Sequence, residues 1–169
     1  MAIIFDLQIQ FLNKNANYHD LYNTLNSKVT PFEGIDFHKV NNTFITADGP
    51  VNSQVSICPE NVGLAVSFDD LSKGRVKLSE EKMLELSLHM YDFIKDVPEV
   101  DLAIVGWEIG SLDVSYLTFD KNEKVVEVAE VEGLVVSNHL FEHAFKSSEW
   151  EEFDATHSWI RCESMPAFD

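Results

Sequence analysis

The segment from Leu78 to Pro98, LSEEKMLELSLHMYDFIKDVP, constrains the fold more than any other part of the chain. At about 100° per residue, its apolar side chains gather on one wide face of a helix. These side chains are Met83, Leu86, Met90, Phe93, Ile94 and Val97. Ser79 is a suitable N-cap residue, and Pro98 is expected to end the helix. Because so wide an apolar face must be covered, the pattern predicts a main helix over about 79–97 that lies on a β-sheet.

The N-terminal third of the chain contains strand and helix patterns in turn. Apolar and polar residues alternate from Ile3 to Phe11, which predicts a strand that lies inside the sheet and is buried on one face. Tyr18 to Val29 has the spacing of a short helix. Two apolar runs between Ile35 and Thr46 flank Asn41-Asn42, so we expect a hairpin that turns at these asparagines.

Further strands are predicted where short runs of β-branched and aromatic residues are bounded by turn residues. They cover Gln54–Cys58, Gly63–Phe68, Asp101–Trp107, Asp113–Phe119, Lys124–Val131 and His157–Ser164. In Lys124–Val131, alternation places Val126 and Val128 opposite Glu127. A third helix, capped by Asn138, is expected from His139 to about Lys146, with Phe145 facing inward. Together these elements predict a single α+β domain over residues 1–169, in which the main helix and two shorter helices cover a mostly antiparallel sheet.

The charge of the chain is extreme and unevenly distributed. Its 29 acidic residues against 12 lysines and arginines give a net charge of −17. Residues 79–169 hold 21 of the acids and 6 of the basic residues, a balance of −15. Such a surface repels nucleic acid and anionic membranes, so we expect a basic partner protein and no direct contact with nucleic acid or membrane.

The N-terminus and the cysteines indicate where the protein acts. The first residues, MAIIFDLQIQF, lack the basic start of a secretory signal, and no apolar run approaches the roughly 20 residues that a membrane helix needs. We therefore expect a cytoplasmic protein. Cys58 and Cys162 lie far apart in apolar surroundings, a pattern that predicts buried, reduced thiols.

One short sequence fits a catalytic motif. His139-Leu140-Phe141-Glu142-His143 matches the H-x-x-E-H pattern of a zinc protease family, in which two histidines on a helix share a metal. A small zinc-dependent hydrolase is therefore an alternative function. The sequence carries no nucleophile motif and no glycine-rich phosphate loop, and the chain after His143 is too short for the usual third ligand. The main interpretation is a protein that is not an enzyme and needs no cofactor or metal.

The length, the acidity and the opening MAIIFDLQIQFLNKN are similar to those of immunity proteins from contact-dependent growth inhibition systems, in particular the group paired with DNase toxins. The resemblance implies tight binding of a toxin's C-terminal nuclease domain. The charge agrees with this, because a nuclease must be basic to hold phosphates and an acidic inhibitor associates with it faster. A general nucleic-acid mimic with many partners of modest affinity is a third interpretation.

The partner-binding surface is expected where acids accompany the predicted strands of the second half and the loop before the main helix. We predict that seven residues contact the toxin: Asp69, Asp70, Glu108, Asp113, Glu127, Glu130 and Glu132. The strands between Asp101 and Val131 are expected to offer an edge to which a strand or hairpin of the toxin is added. Trp150, which stands between Glu149 and Glu151, is interpreted as a core residue, with an interface hot spot as the alternative.

Overall fold

The computed structural model describes residues 3–12, 18–44, 52–64, 69, 72–107, 116–122 and 124–167. Two α-helices are present in this part of the chain, α1 (Tyr18–Lys28) and α2 (Glu80–Tyr91). The strands are β1 (Ile3–Phe11), β2 (Phe37–Phe44), β3 (Asn52–Pro59), β4 (Gly63–Leu64), β5 (Leu102–Trp107), β6 (Leu117–Phe119), β7 (Val125–Val128), β8 (Val135–Ser137), β9 (Glu151–Glu152) and β10 (His157–Trp159). A 3₁₀ helix, Asn138–Glu142, follows β8.

The main sheet has the strand order β2-β3-β1-β5-β8-β10-β9, and β4 pairs with the start of β1. All of these pairings are antiparallel. The strands β6 and β7 pair only with each other among the described residues and form a separate hairpin. The predicted α+β fold is therefore confirmed, and β1 is internal, as its pattern predicted.

Alternation along β5 separates two cores on the two faces of the sheet. Ala103 and Val105 face α2 and lie in one apolar cluster with Met83, Leu86 and Met90 of that helix. Leu102 and Ile104 face the other way and lie in a second cluster, to which the β6–β7 hairpin and the 3₁₀ helix contribute Leu117, Val125, Val128 and Leu140. The protein thus has three layers, in which the helices and the β6–β7 hairpin cover opposite faces of the sheet.

The main helix is shorter than predicted. Ser79 is its N-cap, as expected, and its side chain accepts a hydrogen bond from the Lys82 backbone N–H. The helix ends at Tyr91, well before Pro98, because the backbone then tightens into turns in which Phe93, Ile94 and Val97 donate to the carbonyl three residues earlier. The Asp96 N–H donates a hydrogen bond to the Asp154 carboxylate at 2.9 Å. This contact with a distant part of the chain stabilises the non-helical backbone after Tyr91.

The prediction that β1 is buried on one face only is wrong. Its polar residues Asp6, Gln8 and Gln10 are buried, as are the facing Gln54 and Ser56 of β3. These groups bond to one another: Gln8 Nε2 donates to Asp6 Oδ2 at 2.9 Å, and Gln54 donates to Gln8. Both faces of this internal strand are therefore buried. Burial raises the pKa of Asp6 to about 6, although hydrogen bonds from Gln8 and Ser56 oppose the rise.

The predicted hairpin at Asn41-Asn42 is also wrong. Phe37 to Phe44 is one continuous strand, in which Asn41 pairs with Val55 and Asn42 with Gln54. Because β3 offers an eight-residue partner without interruption, ladder pairing outweighs the turn preference of the two asparagines. The prediction for residues 45–46 falls outside the described part of the chain.

The third predicted helix is reduced to the 3₁₀ helix Asn138–Glu142. Ser137, and not Asn138, is its N-cap residue, and no side chain caps it. The Asn138 side chain instead accepts a hydrogen bond from Ser158 Oγ at 2.6 Å, so it is not available as a cap. Phe145, predicted to face inward, is 84% exposed.

Two further expectations concern the cysteines and the membrane. Cys58 and Cys162 are both buried and free, as predicted. Burial first, and then the charges of Asp6 and Asp69, raise the pKa of Cys58 to about 12, so its thiol stays protonated at neutral pH. Within the residues that the structure describes, no helix has the length and apolar character to cross a membrane.

Candidate interaction surface

The β6–β7 hairpin carries an irregularity that exposes an apolar side chain. Thr118 pairs with Glu127 but Phe119 pairs with Val125, so the register shifts and Val126 has no opposite residue. Such a bulge turns two successive side chains to the same side. Val126 and Glu127 are consequently both exposed, whereas Val125 and Val128 reach the core. The simple alternation predicted for this strand is wrong for that reason.

Exposed apolar side chains are concentrated around this hairpin. In the described part of the chain, the large apolar side chains that remain exposed are Phe119 (39%), Val126 (42%) and Phe145 (84%). Phe119 and Val126 belong to the hairpin itself. Lys124 Nζ, just before β7, lies 3.3 Å from His143 Nε2, so the hairpin turn approaches the segment that carries Phe145. Clustered exposed apolar residues mark an interaction site more often than single ones do.

Exposed glutamates occur in the same layer as these apolar residues. Glu127, Glu130 and Glu142 are exposed and belong to the same layer, since the 3₁₀ helix contacts β7. We call the group Phe119, Val126, Glu127, Glu130, Glu142 and Phe145 the hairpin surface. Among the described residues from 116 to 167, the salt bridges join histidines to aspartates, and none involves a glutamate. The glutamates of this layer therefore form no ion pair within the described structure.

Four of the seven predicted contact residues lie in the described part of the chain, and their surroundings differ. Glu127 and Glu130 lie on the hairpin surface. Glu132 accepts hydrogen bonds from the backbone N–H groups of Glu163 (2.8 Å) and Ser164 (3.4 Å) and so anchors the C-terminal segment. Asp69 accepts from the Asn61 N–H at 3.0 Å and holds the loop after β3. The remaining three, Asp70, Glu108 and Asp113, lie outside the described residues.

The apolar members of the hairpin surface were not among the contact residues predicted from the sequence. Regular alternation predicts that Val126 faces inward, and a regular helix predicts the same for Phe145. Trp150, in contrast, is buried in the second core with its ring 5.0 Å from that of Phe141, so the core interpretation is confirmed.

The H-x-x-E-H sequence does not have the geometry on which the zinc alternative depended. The 3₁₀ helix ends at Glu142, so His139 and His143 do not share a helix face. Both ring nitrogens of His139 are engaged, Nε2 with Asp101 Oδ1 at 3.1 Å and Nδ1 with Ser137 Oγ. In the described part of the chain, no three His, Cys, Asp or Glu side chains are grouped to hold a metal ion.

Ser137, His139 and Asp101 contact one another in series, and His139 and Asp101 line part of a cleft. The cleft has a volume of about 420 Å³, and its lining residues are Leu12, Pro98, Glu99, Asp101 and His139. Ser137 is 3% exposed and is not among the lining residues. A molecule in the cleft therefore meets the imidazole and the carboxylates and not the hydroxyl, which is unlike a serine hydrolase.

Comparison with known proteins gives no relative. The chain matches no protein-family model, no curated protein and no solved structure. The function is therefore argued from the surface alone.

Proposed function

We propose that this protein is an immunity protein, an inhibitor that binds the basic nuclease domain of a toxin in the cytoplasm and blocks it. The observation that carries the proposal is the hairpin surface, which combines exposed apolar side chains with exposed glutamates that have no ion pair in the described structure. An interface of this composition gains affinity from the apolar groups and selects its partner by charge.

The charge favours a partner that binds phosphates. A nuclease presents lysines and arginines to the nucleic-acid backbone, and an acidic protein covers the same groups. Residues 79–169 carry a balance of −15, which raises the rate of encounter with such a partner at low ionic strength. The proposed complex excludes the nucleic acid because inhibitor and substrate compete for one basic surface.

The contact region differs in part from the sequence prediction. Strand β5 pairs with β1 from Leu102 to Trp107 but with β8 only at Leu102 and Ala103, so among the described residues Ile104–Trp107 has a strand on one side only. Among the described residues, β6 and β7 each pair on one side only, so this hairpin also offers an edge for a toxin strand. We place the contact on the side chains of the hairpin surface.

The test is capture of a partner by the full chain. The protein is used as bait in lysate of its own cells, with the neighbouring genes co-expressed, and retained proteins are identified by mass spectrometry. We expect one basic protein that survives moderate salt and whose nuclease activity falls on addition of the bait. Retention of no basic protein, or of many weakly held DNA-binding proteins, would contradict the proposal.

Two charge-reversed baits locate the contact. Glu127→Lys with Glu130→Lys changes the hairpin surface, and we expect about tenfold or greater loss of affinity, mainly through slower association. The matched control, Glu81→Lys with Asp92→Lys, changes net charge equally on α2, across the sheet. Its two substitutions act in opposite directions on the helix dipole. Equal loss from both baits would show that only net charge matters.

A further inference from the structure

A buried carboxylate forms the floor of the cleft between the end of β1 and the 3₁₀ helix. The Asp101 side chain is 4% exposed, and its Oδ2 accepts the Leu12 N–H at 2.6 Å. Its Oδ1 faces His139 Nε2 at 3.1 Å, and the His139 side chain is 63% exposed. A buried charge is costly unless it is paired. Within the described residues, the charge of Asp101 is paired only with this exposed imidazole, which can be displaced.

The remaining walls suit a long cationic side chain. Leu12 and Pro98 are apolar and can contact methylene groups, while Glu99 is exposed and adds a second carboxylate. A guanidinium group is planar and presents several N–H donors, so it can serve two carboxylates at once, which an ammonium group does less well. The volume, about 420 Å³, is within the range of clefts that hold small ligands.

We propose that this cleft receives an arginine side chain of the basic partner, whose guanidinium group displaces His139 from Asp101 and bonds to Asp101 and Glu99. This inference rests on the proposed function and adds to it a second contact point of defined chemistry. The cleft and the hairpin surface are near each other, since the 3₁₀ helix that carries His139 contacts β7. One partner can therefore engage both.

The test uses arginine itself as the probe. The full chain, labelled with ¹⁵N, is titrated with Nα-acetyl-argininamide, and with the citrulline analogue, which has nearly the same shape without the charge. We expect saturable shifts of the Leu12 and Glu99 amides and of the His139 ring with arginine. With citrulline the affinity should be about tenfold weaker, because hydrogen bonds to charged groups are the stronger ones. Equal shifts with both probes, or no saturable shift with arginine, would overturn the proposal.

Three variants assign the contacts. Glu99→Gln should weaken arginine binding several-fold, and His139→Ala should strengthen it, since the competing imidazole is gone. Glu81→Gln, on α2, is the matched control and should bind as the wild type does. Asp101→Asn also weakens the Leu12 contact, so the test uses the two exposed positions Glu99 and His139. Unchanged affinity in both of these variants would refute the assignment.

The two proposals fail separately. If a basic partner is captured and Glu99→Gln and His139→Ala leave its affinity unchanged, the immunity function stands and the cleft is not its arginine site. If arginine binds the cleft but no basic protein is captured, the cleft stands and the immunity function is wrong.

Discussion

The turn between β9 and β10 contains a buried ion pair whose loss should be measurable. Asp154 accepts hydrogen bonds from the backbone N–H groups of Asp96 (2.9 Å), Thr156 (2.7 Å) and His157 (2.8 Å). Its Oδ1 lies 2.9 Å from His157 Nδ1, and His157 Nε2 lies 2.9 Å from the Val100 carbonyl. Asp154→Asn keeps the shape of the side chain but removes its charge. It also replaces one accepting oxygen by an NH₂ group, which cannot accept a hydrogen bond from these N–H groups.

The magnitude follows from the pKa of the carboxyl group. Burial tends to raise the pKa of Asp154, but the hydrogen bonds from Asp96, Thr156 and His157 outweigh it and lower the pKa to about 2, against 3.8 for the free group. This difference corresponds to about 2 kcal/mol of folding free energy. Because the folded-state pKa is below the unfolded value, the stability is complete above about pH 4–5 and is lost as the pH falls through about 2.

The assay is urea unfolding of wild type and Asp154→Asn at pH 5 and pH 3. The pKa of a free aspartate, 3.8, lies between these two values, so the contribution of the Asp154 carboxylate to stability changes between them. We expect the variant to be less stable by at least about 2 kcal/mol at pH 5 and by about half as much at pH 3. Glu152→Gln, two residues away and exposed, should change stability by less than about 0.5 kcal/mol. A difference that is the same at both pH values would refute the reasoning.

Three further changes test the core. Tyr91→Phe should cost about 1–3 kcal/mol in urea unfolding, because the buried hydroxyl donates to the Gly133 carbonyl (2.6 Å) and accepts from the Val105 N–H (3.1 Å), and both would be left unpaired. Gly133→Ala should lower the free energy of unfolding by a similar amount, since its φ is +82° and an added Cβ would lie 2.6 Å from Tyr91 Oη. If the loss of stability is not smaller in the Tyr91→Phe background, the steric part of this explanation is contradicted. As the pH rises from 4 to 7, the stability of Asp6→Asn relative to the wild type should increase by about 2 kcal/mol. The reason is that the pKa of Asp6 is raised, so the wild type must ionise a buried carboxyl group over that interval. A difference that does not depend on pH would show that Asp6 stays hydrated.

Local patterns predicted the elements that have one clear period. The 3.6-residue period and Ser79 located α2, and the two-residue period located β1. Features that depend on the partner of a segment were not predictable. Asn41-Asn42 is strand because β3 lies beside it, and Asn138 fails as a cap because Ser158 uses its side chain. The bulge at Val126 depends on the register against β6, so the exposure of Val126 has no sequence signature.

The net negative charge of the chain does not by itself define the candidate binding surface. On α2, Lys82 lies between Glu33 and Glu85 at 2.7 and 2.6 Å, so part of that acidic face is neutralised within the molecule. The glutamates of the hairpin surface have no such partner in the described structure, and they stand beside the exposed apolar side chains. Distributed acidity attracts any basic protein, whereas affinity for one of them needs apolar groups that fit it. Replacing Val126 and Phe145 by serine should therefore speed dissociation and leave the salt dependence of association unchanged, and surface plasmon resonance with the captured partner separates the two effects.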